Sequence, residues 1–196
     1  MRITGGQYKG RKLESPKDRA IRPTSDKVRQ AIFNMILHGT WRMEWGFDLH
    51  EARVLDLFCG TGTLSFEAIS HGAVFAYLID KEDKALDIAR KNANALGLNA
   101  KTSLMRKDAS QLPPKPDNLE PFQLVFLDPP YNQDLIRPSL EAMHNGGWLS
   151  QAALCVVEKE REPNFIVPAP YQDIKTAHYG HTDVMLLGYD PEMQGS

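Results

Sequence analysis

Short apolar segments alternate with amphipathic segments along most of the chain, and this alternation limits the fold more than any other feature. Apolar runs bounded by turn residues predict strands, whereas apolar residues spaced by three and four predict helices. Nearly continuous apolar strands between helices are typical of a mostly parallel sheet with helices on both faces. The predicted strands are residues 53–57, 75–79, 102–105, 122–127 and 152–157; the predicted helices are 62–71, 81–96 and 135–143; and residues 173–189 are predicted to form a terminal hairpin.

The composition is that of one globular domain with a modest extension. The chain has 196 residues, of which 42% are hydrophobic and 24% charged, close to the averages for soluble proteins. No apolar run approaches the roughly 18 residues that cross a membrane, and the N-terminus lacks an apolar signal segment. Cys59 and Cys155 are too few for a disulfide framework or a cysteine zinc site, and His178 with His181 lacks further ligands. We therefore expect a cytoplasmic protein without a bound metal.

The first 42 residues differ from the rest in charge. Residues 1–42 carry a formal charge of +7 and residues 43–196 carry −9. We predict a basic N-terminal extension over 1–42, made of a small hairpin and a helix, and a main domain over 43–196. A basic arm on an acidic body favours an anionic partner, nucleic acid above all, although a solvated charged surface explains the charge equally well.

The predicted helix of the extension has the pattern of a packed helix. Thr24 or Ser25 can cap it, and Asp26 suits its first turn. Its apolar residues recur at helical spacing and form one stripe, which we expect to pack on the main domain. The stripe consists of Val28, Ala31, Ile32, Met35 and Ile36.

A glycine turn follows the first predicted strand. Gly60 and Gly62 allow a tight turn and the close approach of a ligand, and the next helix offers free N–H groups. A dinucleotide fingerprint requires a third glycine at position 65, where this chain has Ser65. Asp56 at the mouth of the turn also argues against a phosphate and for a ligand with a positive group. Glycine turns of this kind also occur in ordinary strand–helix connections.

Aspartates follow the second and third predicted strands. Asp80 can accept two hydrogen bonds from a ribose diol, or it can cap the following helix. Asp108 can accept from the exocyclic amine of an adenine, or it can be an ordinary loop aspartate. In a parallel sheet ligands bind at the carboxyl ends of the strands, where both residues are expected to lie.

The tetrapeptide Asp128-Pro129-Pro130-Tyr131 follows the fourth predicted strand. Its prolines restrict the backbone and leave the Pro129 carbonyl as an acceptor. The Asp128 carboxylate adds a second acceptor, and Tyr131 adds a flat face. Although a rigid proline turn explains the two prolines alone, the whole tetrapeptide suits the binding of a flat amine by stacking and two hydrogen bonds.

Together these segments resemble the class I S-adenosylmethionine-dependent methyltransferases. LDLFCGTG resembles their cofactor loop, and LDPPY resembles the catalytic motif of those that methylate exocyclic amines. With the segments MRITGGQYKGRKLESP, RPTSDKVRQAIFNMI and VLDLFCGTGTLSFEAISHGA, the chain is similar to the RsmD family, bacterial 16S ribosomal RNA guanine-N2 methyltransferases. The resemblance covers essentially the whole chain, and the N-terminal segments discriminate best because DPPY also occurs in DNA adenine methyltransferases.

The resemblance implies a Rossmann-like sheet of seven strands, with the terminal hairpin supplying the antiparallel strand, and S-adenosylmethionine as cofactor. The implied catalytic residues are Asp128, Pro129, Pro130 and Tyr131. The implied cofactor residues are Asp56, Phe58, Gly60, Gly62, Asp80, Lys81, Asp108 and Ala109. The expected RNA-binding residues are Arg2, Lys9, Arg11, Lys12, Arg19, Arg22 and Arg29, although Thr24 and Arg29 can instead dock the first helix onto the sheet.

Three other functions stay open on the sequence. A DNA or RNA adenine-N6 methyltransferase shares the DPPY motif, but 196 residues leave little room for the target-recognition region usual in the DNA enzymes. A non-catalytic RNA-binding or ribosome-assembly protein is disfavoured by the intact motif, and a nicotinamide-dependent oxidoreductase by Ser65. We expect a monomer that acts on 16S ribosomal RNA, either free or within a small-subunit assembly particle.

Overall fold

A seven-stranded sheet forms the centre of the protein. The computed structural model describes residues 1–15, 26–131, 133–161 and 165–192, except for the side chain of Arg42. The strands are β1 (Arg53–Asp56), β2 (Phe75–Asp80), β3 (Thr102–Arg106), β4 (Phe122–Leu127), β5 (Leu149–Glu160), β6 (Tyr171–Tyr179) and β7 (Thr182–Tyr189). Their spatial order is β3-β2-β1-β4-β5-β7-β6. β7 runs antiparallel to β5 and β6, and the pairs from β3 to β5 are parallel, which confirms the predicted sheet.

Helices cover both faces of this sheet. They are α1 (Asp26–His38), α2 (Trp41–Trp45), α3 (Thr63–Ser70), α4 (Asp83–Leu96) and α5 (Ile136–Asn145), and 3₁₀ turns occur at Leu49–Glu51, Asn99–Lys101 and Ala109–Gln111. α4 begins two residues later than predicted because Glu82 is extended and its N–H donates to the Asp80 carboxylate at 2.9 Å. In the described part of the chain, no helix has the length and apolar character needed to cross a membrane.

Two apolar clusters hold these layers together. On one face, the centre of the Phe33 ring of α1 lies 5.9 Å from the centre of the Phe126 ring of β4. The Phe33 ring also stacks on the His71 ring, with 5.3 Å between the ring centres. On the other face Leu140 and Met143 of α5 pack with fully buried residues of β4 and β5. The predicted stripe of α1 is confirmed at its buried residues Ile32, Met35 and Ile36, whereas Val28 and Ala31 are half-buried and Phe33, outside that stripe, is buried.

Residues 1–15, here called the N-terminal arm, pack on the same face as α1. The predicted hairpin is reduced to one isolated antiparallel bridge between Arg2 and Lys12, supported by a bond from the Ile3 N–H to the Arg11 carbonyl at 3.0 Å. Ile3 and Leu13 are buried in the core cluster that contains α1 and β4. The arm is therefore held by contacts with the main domain. The predicted caps Thr24 and Ser25, and Arg19 and Arg22, lie outside the described residues.

β5 extends further than the sequence pattern indicates. The strand runs to Glu160, whereas the sequence pattern predicts its end at residue 157, and Glu158 and Lys159 are only 7% and 4% exposed. β7 pairs alongside them, with Glu158 opposite Val184 and Lys159 opposite Asp183. A charged segment is buried here because the antiparallel neighbour continues past the apolar part of the strand.

Candidate active site at the carboxyl edge of the sheet

The sheet order brings the four predicted aspartates to one edge. Asp108, Asp80, Asp56 and Asp128 lie at or just after the carboxyl ends of β3, β2, β1 and β4, which are consecutive strands in space. The chain moves outwards from β1 to β3 and then returns to the other side of β1 with β4. Such a reversal is the usual ligand-binding point of an open α/β sheet.

The glycine turn lies at this reversal. The Cys59 N–H donates to the Ile79 carbonyl at 3.0 Å, and the Gly62 N–H donates to the Cys59 carbonyl at 2.7 Å. Gly62 has φ 78°, and a Cβ there would lie 2.5 Å from Phe66, so packing requires glycine. Gly60 has φ 52°, and a Cβ there would meet no atom within 4 Å. The space in front of Gly60 is open to a ligand.

Asp80 connects this turn to α4. One carboxylate oxygen accepts from the Gly60 N–H at 2.8 Å, and the other accepts from the Glu82 N–H at 2.9 Å. Asp80 is not the N-cap, because Glu82 occupies that position. The side chain is half-buried, with a fixed orientation beside the open space. This geometry suits a ribose diol, and that role stays a prediction.

Asp56 is almost completely buried, with 1% of its surface exposed. The Ser65 hydroxyl donates to its carboxylate at 2.8 Å. Burial raises the pKa of Asp56 from 3.8 to about 7, and the charges of Asp128 and Asp80 also raise it, whereas the Ser65 bond lowers it. Ser65, which argued against a dinucleotide fingerprint, therefore holds the carboxylate. A ligand ammonium near this group would stabilise its ionised form.

Asp108 has the bonds of a capping loop residue. Its Oδ1 accepts from the N–H of Ser110 at 2.9 Å and from the Ser110 hydroxyl at 2.7 Å, and these bonds lower the pKa of Asp108. Its contact with an adenine amine stays a prediction. Of the other expected cofactor residues, Ala109 is buried, Phe58 is half-buried and Lys81 is exposed.

The Asp128–Tyr131 tetrapeptide leaves β4 beside this site. Asp128 is half-buried, Pro129 is buried and Pro130 is exposed. The Tyr131 ring is 38% exposed, and its hydroxyl shares a 3.0 Å hydrogen bond with the hydroxyl of Thr182 at the start of β7. The sequence interpretation missed Thr182, because no local pattern connects a turn before β7 with a motif after β4.

Buried polar side chains attach the N-terminal arm to the site. Glu67 of α3 is fully buried, and its carboxylate accepts from the N–H groups of Thr4 at 2.9 Å and Gly5 at 3.1 Å, and from the Thr4 hydroxyl. These donors offset the cost of burying the charge. The sequence interpretation missed Glu67, although a carboxylate within the apolar helix TLSFEAIS is a signal of such a role.

Asn92 of α4 joins the arm directly to the glycine turn. Its amide oxygen accepts from the Glu14 N–H at 2.7 Å, and its nitrogen donates to the carbonyls of Glu14 at 3.1 Å and Thr61 at 3.0 Å. Asn92 is 1% exposed. It was also missed, and its signal is a polar residue on the buried stripe of an amphipathic helix.

The predicted RNA-binding cations divide into two groups. Arg2, Lys9, Arg11 and Lys12 are exposed on the arm. Arg29 is fully buried and donates to the Arg2 carbonyl at 2.8 Å and to the Asp26 carboxylate at 2.9 Å. Its burial argues against an RNA contact, and its bond to the Arg2 carbonyl joins α1 to the arm.

Comparison with known proteins decides the family. A family model described as Conserved hypothetical protein 95 matches residues 1–188. Ribosomal RNA small subunit methyltransferase D of Escherichia coli K12 is 32% identical over 205 residues, covering 100% of this chain and 92% of the relative. The chain belongs to the RsmD family. The Haemophilus influenzae member is 29% identical over 176 residues, covering 89% and 86% of the two chains.

Solved structures agree with the RsmD assignment. The Escherichia coli protein yhhF has a TM-score of 0.80 and 28% identity, covering 98% of this chain and 99% of that one. An RNA methyltransferase from Salinibacter ruber, in complex with S-adenosyl-L-homocysteine, has a TM-score of 0.59 and 19% identity, covering 89% and 98%. The second likeness supports the fold alone. This RsmD-family chain is therefore a methyltransferase with a class I fold.

Proposed function

We propose that this protein transfers a methyl group from S-adenosylmethionine to the exocyclic N2 amine of a guanine in 16S ribosomal RNA. The observation that carries the proposal is the position of Asp128-Pro129-Pro130-Tyr131 beside the glycine turn, on the strand next to Asp56 in the sheet. The proposed site for the methyl donor, at the glycine turn, is thus adjacent to the proposed binding site for the flat substrate amine, at the tetrapeptide. The relatives named for small-subunit ribosomal RNA methylation support RNA as the substrate.

The residues at the edge fit this cofactor. Asp56 and the turn at Gly60 and Gly62 would hold the amino-acid end, Asp80 the ribose, and Asp108 with Ala109 the adenine. The open space at Gly60 and the fixed carboxylate of Asp80 support this assignment. When bound, S-adenosylmethionine supplies an electrophilic methyl group on a sulfonium. Phe58 and Lys81 would border the same cofactor.

The catalytic tetrapeptide acts by orientation. The guanine amine is a weak nucleophile because its lone pair is shared with the ring. Acceptors at the Asp128 carboxylate and the Pro129 carbonyl would hold its N–H bonds and favour a more tetrahedral nitrogen. Tyr131, fixed by Thr182, would stack on the base. Orientation of the substrate and preorganised hydrogen-bond acceptors then supply most of the rate acceleration. The nitrogen loses its proton after it has been methylated.

RNA binding is assigned to the N-terminal extension. The exposed cations of the arm would contact phosphates, and the extension over residues 1–42 would act as the RNA-binding part beside the methyltransferase domain 43–196. The target base has to leave its stack or already lie in a loop, as for other enzymes that modify base atoms. We place the reaction in the cytoplasm, with a monomer as the active species.

Mass spectrometry of methylated RNA tests this function. Purified protein is incubated with S-adenosylmethionine and either free 16S ribosomal RNA or small-subunit assembly particles. We expect N2-methylguanosine, which Asp128→Ala abolishes. N6-methyladenosine would establish the adenine-specific alternative, and RNA that is bound by the protein but unmethylated in both forms would favour a non-catalytic role. Comparing the two RNA forms identifies the substrate state.

A further inference from the structure

A cavity of about 420 Å³ lies beside the catalytic tetrapeptide. One wall is formed by Pro129, Pro130 and Tyr131, and the others come from residues 133–138, the end of β5 and residues 165–166. Its lining includes Tyr131, but neither Asp128 nor the glycine turn belongs to the residues that form it. The cavity is therefore separate from the proposed cofactor edge and adjoins it only through Pro129, Pro130 and Tyr131.

The cavity gathers exposed apolar surface. Among the described residues, the exposed large apolar side chains are Met43, Val74, Tyr131 and Ile166. Tyr131 and Ile166, 38% and 73% exposed, both line this cavity. Exposed apolar side chains that cluster around a concave surface are typical of a binding site.

Polar groups of both signs surround this apolar surface. Arg137 donates to the Ile166 carbonyl at 2.9 Å, which holds the two sides of the cavity together. The Lys159 ammonium lies 5.3 Å from the centre of the Phe165 ring. Asp134 and Glu160 add carboxylates. Because the cations and carboxylates balance, the lining suits a nucleobase, with apolar faces and an edge of donors and acceptors, better than it suits a phosphate.

We propose that this cavity binds the base of the nucleotide next to the methylated guanine in the RNA strand. The inference rests on the proposed function. A strand that presents one base to Tyr131 has to pass the neighbouring cavity, and its next base loses its own stacking partner. The Tyr131 and Ile166 side chains provide apolar contact for that base, and the Arg137 guanidinium provides hydrogen-bond donors. The cavity then contributes to RNA affinity and to the register of the target.

Abasic RNA tests the cavity. After the methylated guanine has been identified, RNA substrates are made with an abasic site at each neighbouring position. We expect one of them to raise KM by about tenfold or more, the range of base stacking, while the KM of the other stays near that of intact RNA. Ile166→Ala is expected to raise KM for intact RNA by up to about tenfold. Val74→Ala, which changes an exposed apolar residue outside the cavity, serves as the matched control.

The combination of variant and abasic RNA is decisive. If the base occupies the cavity, Ile166→Ala and the sensitive abasic site affect the same contact, so together they raise KM little more than one alone. If the KM effects of Ile166→Ala and of the abasic site multiply, the two do not affect the same contact, and the cavity assignment is overturned. The same follows if RNA is methylated with an unchanged KM whichever of the two neighbouring positions is abasic. Both outcomes leave the proposed function standing. Failure to methylate any RNA would instead contradict the proposed function. Cofactor affinity is expected to be equal in all variants.

Discussion

The carboxyl edge of the sheet and the N-terminal arm meet at the glycine turn but carry opposite charges. At the edge, the carboxylates of Asp56, Asp80 and Asp108 accept hydrogen bonds from neighbouring N–H or hydroxyl groups. On the arm, Lys9 and Lys12 are exposed to solvent. The edge therefore has acceptors held by hydrogen bonds, whereas the arm carries exposed positive charges. A single substitution at the edge should therefore have a large effect on methyl transfer or cofactor affinity. On the arm, the loss of RNA affinity should grow with the number of charges removed.

The two regions also differ in how they are attached. The edge follows from strand order, whereas the arm is fixed by long-range polar contacts to Glu67 and Asn92. Because Asn92 also donates to the Thr61 carbonyl, the arm is connected to the glycine turn. The proposed RNA contacts on the arm and the proposed cofactor contacts at the turn are thus linked through one buried side chain.

The largest effect is expected at Asp128, the proposed catalytic acceptor. Asp128→Ala removes the carboxylate that would hold the substrate amine, so methyl transfer should fall to background while cofactor affinity stays nearly intact. Single-turnover assays and calorimetry measure the two quantities. Asp117→Ala, at an exposed aspartate that is not one of the four edge aspartates, is the control. Turnover near the wild-type rate in Asp128→Ala would remove Asp128 from the mechanism.

The arm should show a graded effect that depends on salt. Replacing Lys9, Arg11 and Lys12 with Gln should lower RNA affinity and flatten the log–log salt dependence by about two to three units, if all three reach phosphates. If both proteins bind RNA equally at 1 M salt, the variant then binds RNA roughly a hundredfold or more weakly than the wild type at about 0.1 M salt. Salt titrations of RNA binding provide the measurement.

Two comparisons make the arm experiment specific. Gln substitutions at the exposed Lys84, Lys101 and Lys175 control for the loss of three charges, and cofactor binding controls for folding. If the arm variant had the wild-type slope, its cations would be ordinary surface charges, and the RNA surface would lie elsewhere, with Arg106 and Lys107 as the next candidates.

Loss of the Asp80 carboxylate, the proposed ribose acceptor, should have an intermediate effect. Asp80→Ala removes the proposed charge-assisted bonds to the cofactor, which costs about 1.5–3 kcal/mol of binding free energy, or roughly ten- to a hundredfold in Kd. It also removes the acceptor for the Gly60 N–H. Asp80→Asn, which keeps one oxygen, should lose less. Calorimetry that finds the affinity unchanged in both variants would exclude Asp80 from the cofactor site.

The last effect concerns pH, and it is the smallest when taken over a single pH unit. Burial raises the pKa of Asp56 to about 7 in the folded state, from about 3.8 in the unfolded chain. The folded state therefore binds more protons between these values, and this group makes stability fall as the pH rises from about 4 to about 7. The slope is on the order of 1 kcal/mol per pH unit. The free energy of unfolding, measured by urea denaturation at each pH, should depend less on pH in Asp56→Asn than in the wild type over this interval. The same pH dependence in both proteins would contradict the raised pKa of Asp56.

Local patterns in the sequence determined the main architecture and predicted where the site lies. The apolar runs predicted the core strands, since each buried strand needs a continuous apolar segment whatever its neighbours are. The glycine turn and the DPPY segment were recognisable because backbone requirements for glycine and proline act within a few residues. The family resemblance, carried by whole segments, identified the methyltransferase.

Only the tertiary structure decided which side chains become partners. Ser65 with Asp56, Asn92 with Thr61, and Tyr131 with Thr182 depend on strand order and helix docking. The same cause buried Glu158 and Lys159, because β7 extends alongside them. It also buried Arg29, because the arm folds back onto α1. A charged residue carries no local sign of whether a distant segment will cover it, so its role is settled when the segments pack.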